Sequence, residues 1–377
     1  MKKFGIFLLI IALLLAGCGG GSNEPTKGDA IVFVGVPLSG IQANAGQTVL
    51  GGVRLAAEEI NRSGGLLGYK LVVRSLDDES NSDVALSLVD QVQAALDKGE
   101  RVLGIIGHMN SGQTLAAMER YKNMPVVVIT PTASEESLTA RGFRNFFRVN
   151  ANDSVQGRVD AEFLVNQLKA KRIAVIYNDS PYGKGLAKTL TTEVEKLGAA
   201  IAISLQVKES QTQFKAEVEK VLAAQPDTIF YAGYDAETMF LRMEFVAQGS
   251  KQPMLASDGA FLASIIDDSN GALEGMYVSA FAPSPRMVAD AKWFEAYQAV
   301  EYRNPDNYSI NGYVAMQALA EGVRNANTLE ASKVADALRN NVLNTLLKGL
   351  RYDPNGDLQE PKIWIYQVVQ GEFTQVQ

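Results

Sequence analysis

IAVIYNDSPYG, residues 173–183, decides the fold. Ile173 to Tyr177 run without a polar interruption and then break into a short polar turn. A strand covered by helices on both faces reads this way, whereas a half-solvated strand alternates. Four other stretches share the pattern: IIGHMNSG (105–112), VVVITPTAS (126–134), TIFYAGYD (228–235) and MLASDG (254–259). Between them apolar residues recur at helical spacing, as in Val49, Val53, Ala57 and Ile60, or Leu186, Leu190, Val194 and Leu197. Apolar runs alternating with helices from Ala30 to about Asn341 argue for βαβ units and parallel sheets. In such a sheet the carboxyl ends of the strands share one rim, and ligands bind in the crevice beyond it.

Two such units are expected, Asp29–Asn150 and Ala151–Phe281. A helix-rich block follows (Met287–Tyr302, Tyr308–Asn325, Leu329–Asn341). It lacks strands of its own, so it is placed on the first unit, and the strand-like Ile363–Val369 on the second sheet. The lobes are then 30–150 plus about 283–361, and 151–282 plus about 362–377, with crossings near Asn150, Phe281 and Leu350–Pro361. The fold class is α/β: two doubly wound parallel-sheet lobes joined by a multi-crossover hinge. Several crossovers keep the lobes in register while the cleft opens and shuts.

The first 17 residues read as an address rather than as structure. Lys2 and Lys3 precede the apolar stretch Phe4–Leu15, which is shorter than the roughly 20 residues that span a bilayer. Leu15-Ala16-Gly17-Cys18 has the bacterial lipobox pattern, with Cys18 as the lipidated residue. Two acyl chains anchor a protein stably where one is marginal. The expectation is a lipoprotein signal peptide (1–17), then a lipid-anchored flexible linker (18–29), holding the protein outside the cytoplasmic membrane at a periplasmic or cell-surface position. Cys18 is the only cysteine, which leaves no disulfide or Cys-based metal site in the body. A formal net charge of −7 without a basic block argues against nucleic acid.

The strand ends bring two hydroxyls, two phenols and a carboxylate to one cleft. Ser111 and Ser134 each follow a strand and precede a helix, as capping residues or as an anion site made with orphan backbone N–H groups. Thr132 lies between strand end and helix, where its backbone carbonyl is free to accept from an ammonium. Asp258 is an N-cap or a counter-ion to an ammonium on the opposite lobe. Tyr182 and Tyr234 offer flat walls, each with one hydroxyl. The acids Asp77-Asp78-Glu79 point in different directions and read as a solvated loop. His108, the single histidine, reads as structural or as a pocket liner, with a general base the minority alternative. The phosphate-loop, nucleophile-elbow and zinc-protease motifs are missing, so a non-enzyme without metal or cofactor is expected.

With these residues in place, the chain resembles the branched-chain amino-acid binding proteins of ABC importers, which have the type I periplasmic-binding fold. The likeness is carried by GVPLSG, GGVRLAAEEINRSGGLLG, IIGH before Ser111, ITPTASEESLTARG, YNDSPYGKG, YAGYDAE and ASDG. It implies a receptor that captures a free amino acid by hinge closure and hands it to an ABC permease driven by a separate ATPase, working as a monomer. Ser111 and Ser134 would take the carboxylate. The Thr132 carbonyl and Asp258 would take the ammonium, with Tyr234 alongside. Ala45, Met109, Asn110 and Tyr308 would line the side-chain region. Asp258 stands where relatives with branched-chain ligands can carry Glu, and the disulfide some relatives place at positions matching Ser80 and Asn110 is missing. Alternatives are the same fold binding an amide, urea or aromatic acid, and a ligand sensor feeding a membrane receptor.

Overall fold

The computed structural model describes residues 24–376, so the signal segment and Cys18 lie outside the described residues. The first sheet comprises β1 (Asp29–Val36), β2 (Lys70–Asp77), β3 (Val102–Gly107), β4 (Val127–Thr130) and β5 (Phe146–Arg148). All pairings are parallel, in the order β2-β1-β3-β4-β5. Helices α1 (Ala43–Arg62), α2 (Ser82–Asp97), α3 (Ser111–Tyr121) and the short α4 (Ser137–Ala140) connect them.

The second sheet begins after α5 (Asp153–Glu162) with β6 (Arg172–Asn178), α6 (Pro181–Lys196), β7 (Ala200–Val207) and α7 (Lys215–Ala223). It continues with β8 (Thr228–Ala232), α8 (Asp235–Ala247), β9 (Met254–Ala256), α9 (Ser264–Asp268) and β10 (Tyr277–Ala280). Helices α10 (Pro285–Val288), α11 (Ala291–Glu301), α12 (Tyr308–Ala326) and α13 (Ala331–Asn340) come next, and β11 (Trp364–Val369) and β12 (Glu372–Gln375) close the chain. The sheet order is β12-β11-β10-β9-β8-β6-β7. Strands β6 to β10 are parallel, and the β11–β12 hairpin adds antiparallel to β10. The expected α/β architecture is present, with this antiparallel edge added to the second sheet.

The two orders explain where a site must form. Read as β7-β6-β8-β9-β10, the second sheet repeats the order of the first. In each, the strand order reverses between the first and third strands of the unit, and an open α/β sheet binds ligands at that switch point. The loops after β1, β3, β6 and β8 therefore face one cleft.

Each sheet is buried on both sides. Val32, Val34 and Ile106 pack with α1 and with Val314, Val323, Val334 and Leu338 of α12 and α13. Ile31, Phe33 and Ile105 pack on the other face with Val89, Val92 and Met118. Helices α1 and α12 touch backbone to backbone: a Cβ on Gly52 would lie 1.9 Å from Ser309 O, and one on Gly312 2.0 Å from Val49 O. Only glycine permits that approach. Arg148, fully buried at the end of β5, pairs with Asp357 at 2.6 Å and pins the late strap to the first sheet.

Three expectations change in detail. The helix expected over Met287–Tyr302 is two, because Asp290 Oδ1 accepts from Trp293 N at 2.9 Å and starts α11 afresh. The linker expected through Asp29 is already attached to the first lobe at Thr26 and Lys27, which donate to Gly68 O at 3.0 and 2.9 Å. The Asp77–Glu79 loop is not solvated throughout: Asp78 is fully buried. Its Oδ2 lies 2.7 Å from His108 Nδ1 and its Oδ1 accepts from Ser80 N. His108, 30 residues away in sequence, supplies the partner that makes this burial tolerable.

Candidate functional site

The first wall of the cleft is built at the ends of β3 and β4. Ser111 is the first residue of α3, and Asn110 ahead of it makes no side-chain cap. The Ser111 hydroxyl turns away from its own helix and accepts from Ser134 N and Glu135 N, both at 3.2 Å. It thereby keeps its own proton to donate. The reading of Ser134 as a cap also changes, because α4 begins only at Ser137. Arg148 holds the intervening turn by donating to the carbonyls of Ala133 and Glu135. The Ser134 hydroxyl is buried without a hydrogen-bond partner. The Thr132 carbonyl is not wholly free: it accepts from Asn150 Nδ2 at 3.1 Å and has one lone pair left, while Thr132 Oγ1 donates to Met109 O.

The second wall comes from β6, β8 and β9. Ser180 caps α6 by accepting from Gly183 N, which presents Tyr182 to the cleft. Tyr182 Oη donates to Asp258 Oδ1 at 2.5 Å, and its ring stacks on Tyr234 with centroids 5.5 Å apart. Tyr234 precedes α8 and donates its N–H to Glu237 Oε2 at 2.8 Å. Asp258 opens a single 3-10 turn rather than capping a longer helix. Burial pushes its carboxyl up to about 7, against the opposing pull of hydrogen bonds from Tyr182 and Gln156. Among the described residues no Lys, Arg or His lies within ion-pair distance of it, and none lines the cavity beside it. Burial also drives both phenols well above their ordinary range.

Contacts cross the cleft and hold the lobes together. Tyr308 Oη, at the start of α12, donates to Asp258 O at 2.6 Å. Asn44 Nδ2 donates to Ser264 Oγ at 2.7 Å, and Ala263 N donates to Asp306 Oδ1 at 2.9 Å. The cavity between the walls is about 20 Å³, lined by Met109, Asn110, Ser111, Thr132, Tyr182, Tyr234, Asp258, Gly259 and Tyr308. That is room for about one water, so a larger occupant enters only if the lobes part.

The structure thus gathers Ser111, Thr132, Tyr182, Tyr234 and Asp258 with Met109, Asn110 and Tyr308 around one cavity, and places Ser134 one hydrogen bond behind Ser111. Ala45 is not part of the wall, because the turn of α1 packs its side chain into the first-lobe core. His108 also lies off the wall, where its carbonyl accepts from Thr114 Oγ1 and Thr130 Oγ1 and braces β3.

Sequence reasoning passed over one face of α5. Asp153, Gln156 and Asp160 are buried there beneath the cleft. Gln156 Nε2 donates to Ser279 Oγ at 2.9 Å, and Ser279 Oγ donates to Asp160 Oδ2 at 3.2 Å. Neither carboxyl oxygen of Asp153 has a partner. Burial pushes Asp153 up to about 8, with the neighbouring Ser134 hydroxyl pulling the other way, and drives Asp160 well up as well. The i, i+3, i+7 spacing of the three was the available signal. Among the described residues no group of three or more His, Cys, Asp or Glu is placed to hold a metal ion, and no helix is long and apolar enough to cross a membrane.

The sequence model of the periplasmic binding protein family matches residues 34–372. The chain belongs to that family. Periplasmic binding proteins are extracytoplasmic solute-binding proteins. The chain is 28% identical over 365 residues to an amino acid binding protein of Pseudomonas aeruginosa, covering 95% of each chain. Its fold is that of a leucine binding protein, LivK, of Thermotoga maritima, with a TM-score of 0.83 at 24% identity over 92% of this chain and 98% of that one. It is also similar to the LivJ substrate-binding protein of Streptococcus pneumoniae, solved with isoleucine, with a TM-score of 0.81 at 23% identity over 92% and 99%.

Proposed function

We propose that this protein captures a free amino acid, branched-chain or of other aliphatic or neutral type, and delivers it to an ABC permease whose ATPase is a separate chain. The observation that carries the reading is the pairing of opposite chemistries across one cavity. Ser111 offers a hydroxyl proton on one wall, and Asp258 offers a buried carboxyl without a cation on the other. A zwitterion satisfies both at once, its carboxylate at Ser111 and Ser134 and its ammonium at Asp258 and the second lone pair of the Thr132 carbonyl. Tyr182 and Tyr234 wall the head group, while Met109, Asn110 and Tyr308 face the side chain. The amino-acid ligands named for the Pseudomonas, Thermotoga and Streptococcus proteins support this reading, while two solved proteins of the same fold hold benzoate and 3,4-dihydroxybenzoic acid and favour the aromatic-acid alternative.

The working bodies are the lobes 30–150 plus about 283–361 and 151–282 plus about 362–377, and the ligand stabilises their closed state through contacts to both. Cys18 carries the lipid that keeps the monomeric receptor beside its permease. Labelling with radioactive palmitate checks this: incorporation is expected in the wild type and absent in Cys18→Ala.

A thermal-shift screen against the twenty amino acids, several amides and aromatic acids tests the cargo. A ligand at 100 times its Kd adds about 2.7 kcal/mol of stability. The expected result is stabilisation by one or a few aliphatic amino acids. Stabilisation by an amide or aromatic acid alone overturns the amino-acid reading.

A further inference from the structure

We propose that a groove on the hinge side of the molecule is a second binding site, for an amphipathic monocarboxylate of the medium-chain fatty-acid class, whose occupancy biases opening of the cleft. The groove encloses about 410 Å³, within the range of roughly 300–1,000 Å³ of small-molecule pockets. Its floor is apolar: Val149, Phe281, Leu347, Leu350, Leu358 and Trp364. Its rim carries Lys348, Arg351 and Lys362 against a single acid, Glu360. The three cations are exposed and, among the described residues, none is within ion-pair distance of an acid. In a chain of net charge −7, three cations around a hydrocarbon floor form a local inversion of sign. An apolar tail matches the floor and an anionic head matches the rim. A sugar fails the floor and an organic cation fails the rim.

The position supplies the second half of the argument. Val149 follows β5 at the first crossing between lobes, Phe281 follows β10 at the second, and Leu358 and Trp364 bracket the third. An occupant therefore touches every strand of the hinge, and rotation of the lobes must reshape its walls. Lys348 and Gly349 both adopt left-handed conformations, with φ of 57° and 62°, turning the 343–350 loop so that Lys348 lies on the rim.

Trp364 is one of two tryptophans and lines the groove, so it reports directly. In Trp293→Phe, sodium octanoate should give a saturable change in Trp364 emission, with calorimetry on the wild type giving the same Kd. The triple variant Lys348→Glu/Arg351→Glu/Lys362→Glu, altered only on the surface, should weaken that binding by at least tenfold. Octylammonium and acetate should not compete. Scattering from cargo-free protein should show a change in radius of gyration with saturating octanoate in the wild type and none in the triple variant. Neither part needs the cargo, so the outcome is separate from the amino-acid reading. A response that never saturates, that survives charge reversal, or that octylammonium reproduces overturns the site. Saturable binding with an unchanged radius of gyration overturns its influence on the hinge.

Discussion

Asp258 concentrates the physics of the site in one residue. Its carboxyl is buried, takes a proton donor from Tyr182 and meets no cation until cargo arrives. Removing one partner of a buried charge pair costs roughly 2–5 kcal/mol, so Asp258→Asn should weaken cargo binding by about 30-fold to several thousand-fold in calorimetry. Ser111→Ala should cost roughly 1–3 kcal/mol; it removes a donor to the ligand and also the acceptor of two backbone N–H groups. The pH dependence follows from the same carboxyl. The folded, cargo-free protein holds this proton up to about pH 7, while the unfolded chain releases it near 3.8. Between those values the folded state binds more protons, so the contribution of Asp258 to stability is present at low pH and lost as pH rises through that window. Asp153 extends the window to about 8. Denaturant midpoints should therefore fall more steeply from pH 5 to 8 in the wild type than in Asp258→Asn, and parallel profiles would contradict the assignment. An ammonium cargo needs Asp258 ionised, so its affinity should decline below about pH 7 by up to about tenfold per unit. That Ser111, Tyr182, Tyr234 and Asp258 share one cavity was foreshadowed because each lies within a few residues of the end of an apolar run. Asp153 and Asp160 were not, since acids on a helix read as its solvated face until the helix is packed. Asp78 was misread because its partner, His108, is remote in sequence.

At the scale of elements, strands buried on both faces announced themselves. Ile173–Tyr177 falls within β6, and the apolar openings of the stretches at 105–112, 126–134, 228–235 and 254–259 fall on β3, β4, β8 and β9. Strand β5 has only 3 residues, too few for a period to register. Strand β7 lies at a sheet edge, where partial exposure dilutes its apolar pattern. The helix-rich block packs against α1 through a contact that only the structure reveals. Gly312→Ala would drive a methyl group into Val49 O, which stands 2.0 Å from that position. The expected cost is roughly 1–3 kcal/mol of stability, read as a lower denaturant midpoint with an unchanged slope. An unchanged midpoint would show that α1 and α12 can separate freely.

For the molecule as a whole, the repeated strand order turns two switch points toward each other and makes one cleft from two halves. The repetition was legible only as alternation; the order itself depends on which strands pair, which no local pattern records. Closure rests on few cross-lobe bonds, Tyr308 to Asp258 O among them. Tyr308→Phe should weaken cargo binding by roughly 0.5–1.5 kcal/mol, measured by calorimetry. Cargo should shrink the radius of gyration, and identical scattering curves at saturation would deny a closing hinge. The central claim is that two lobes grip the opposite charges of one zwitterion. Competition calorimetry with three molecules of one side chain tests it most directly: L-leucine, the amine lacking its carboxylate, and the acid lacking its ammonium. The account predicts that leucine, or whichever amino acid the screen selects, binds at least about 30-fold more tightly than either partner molecule. Equal binding by the acid without its ammonium would contradict it.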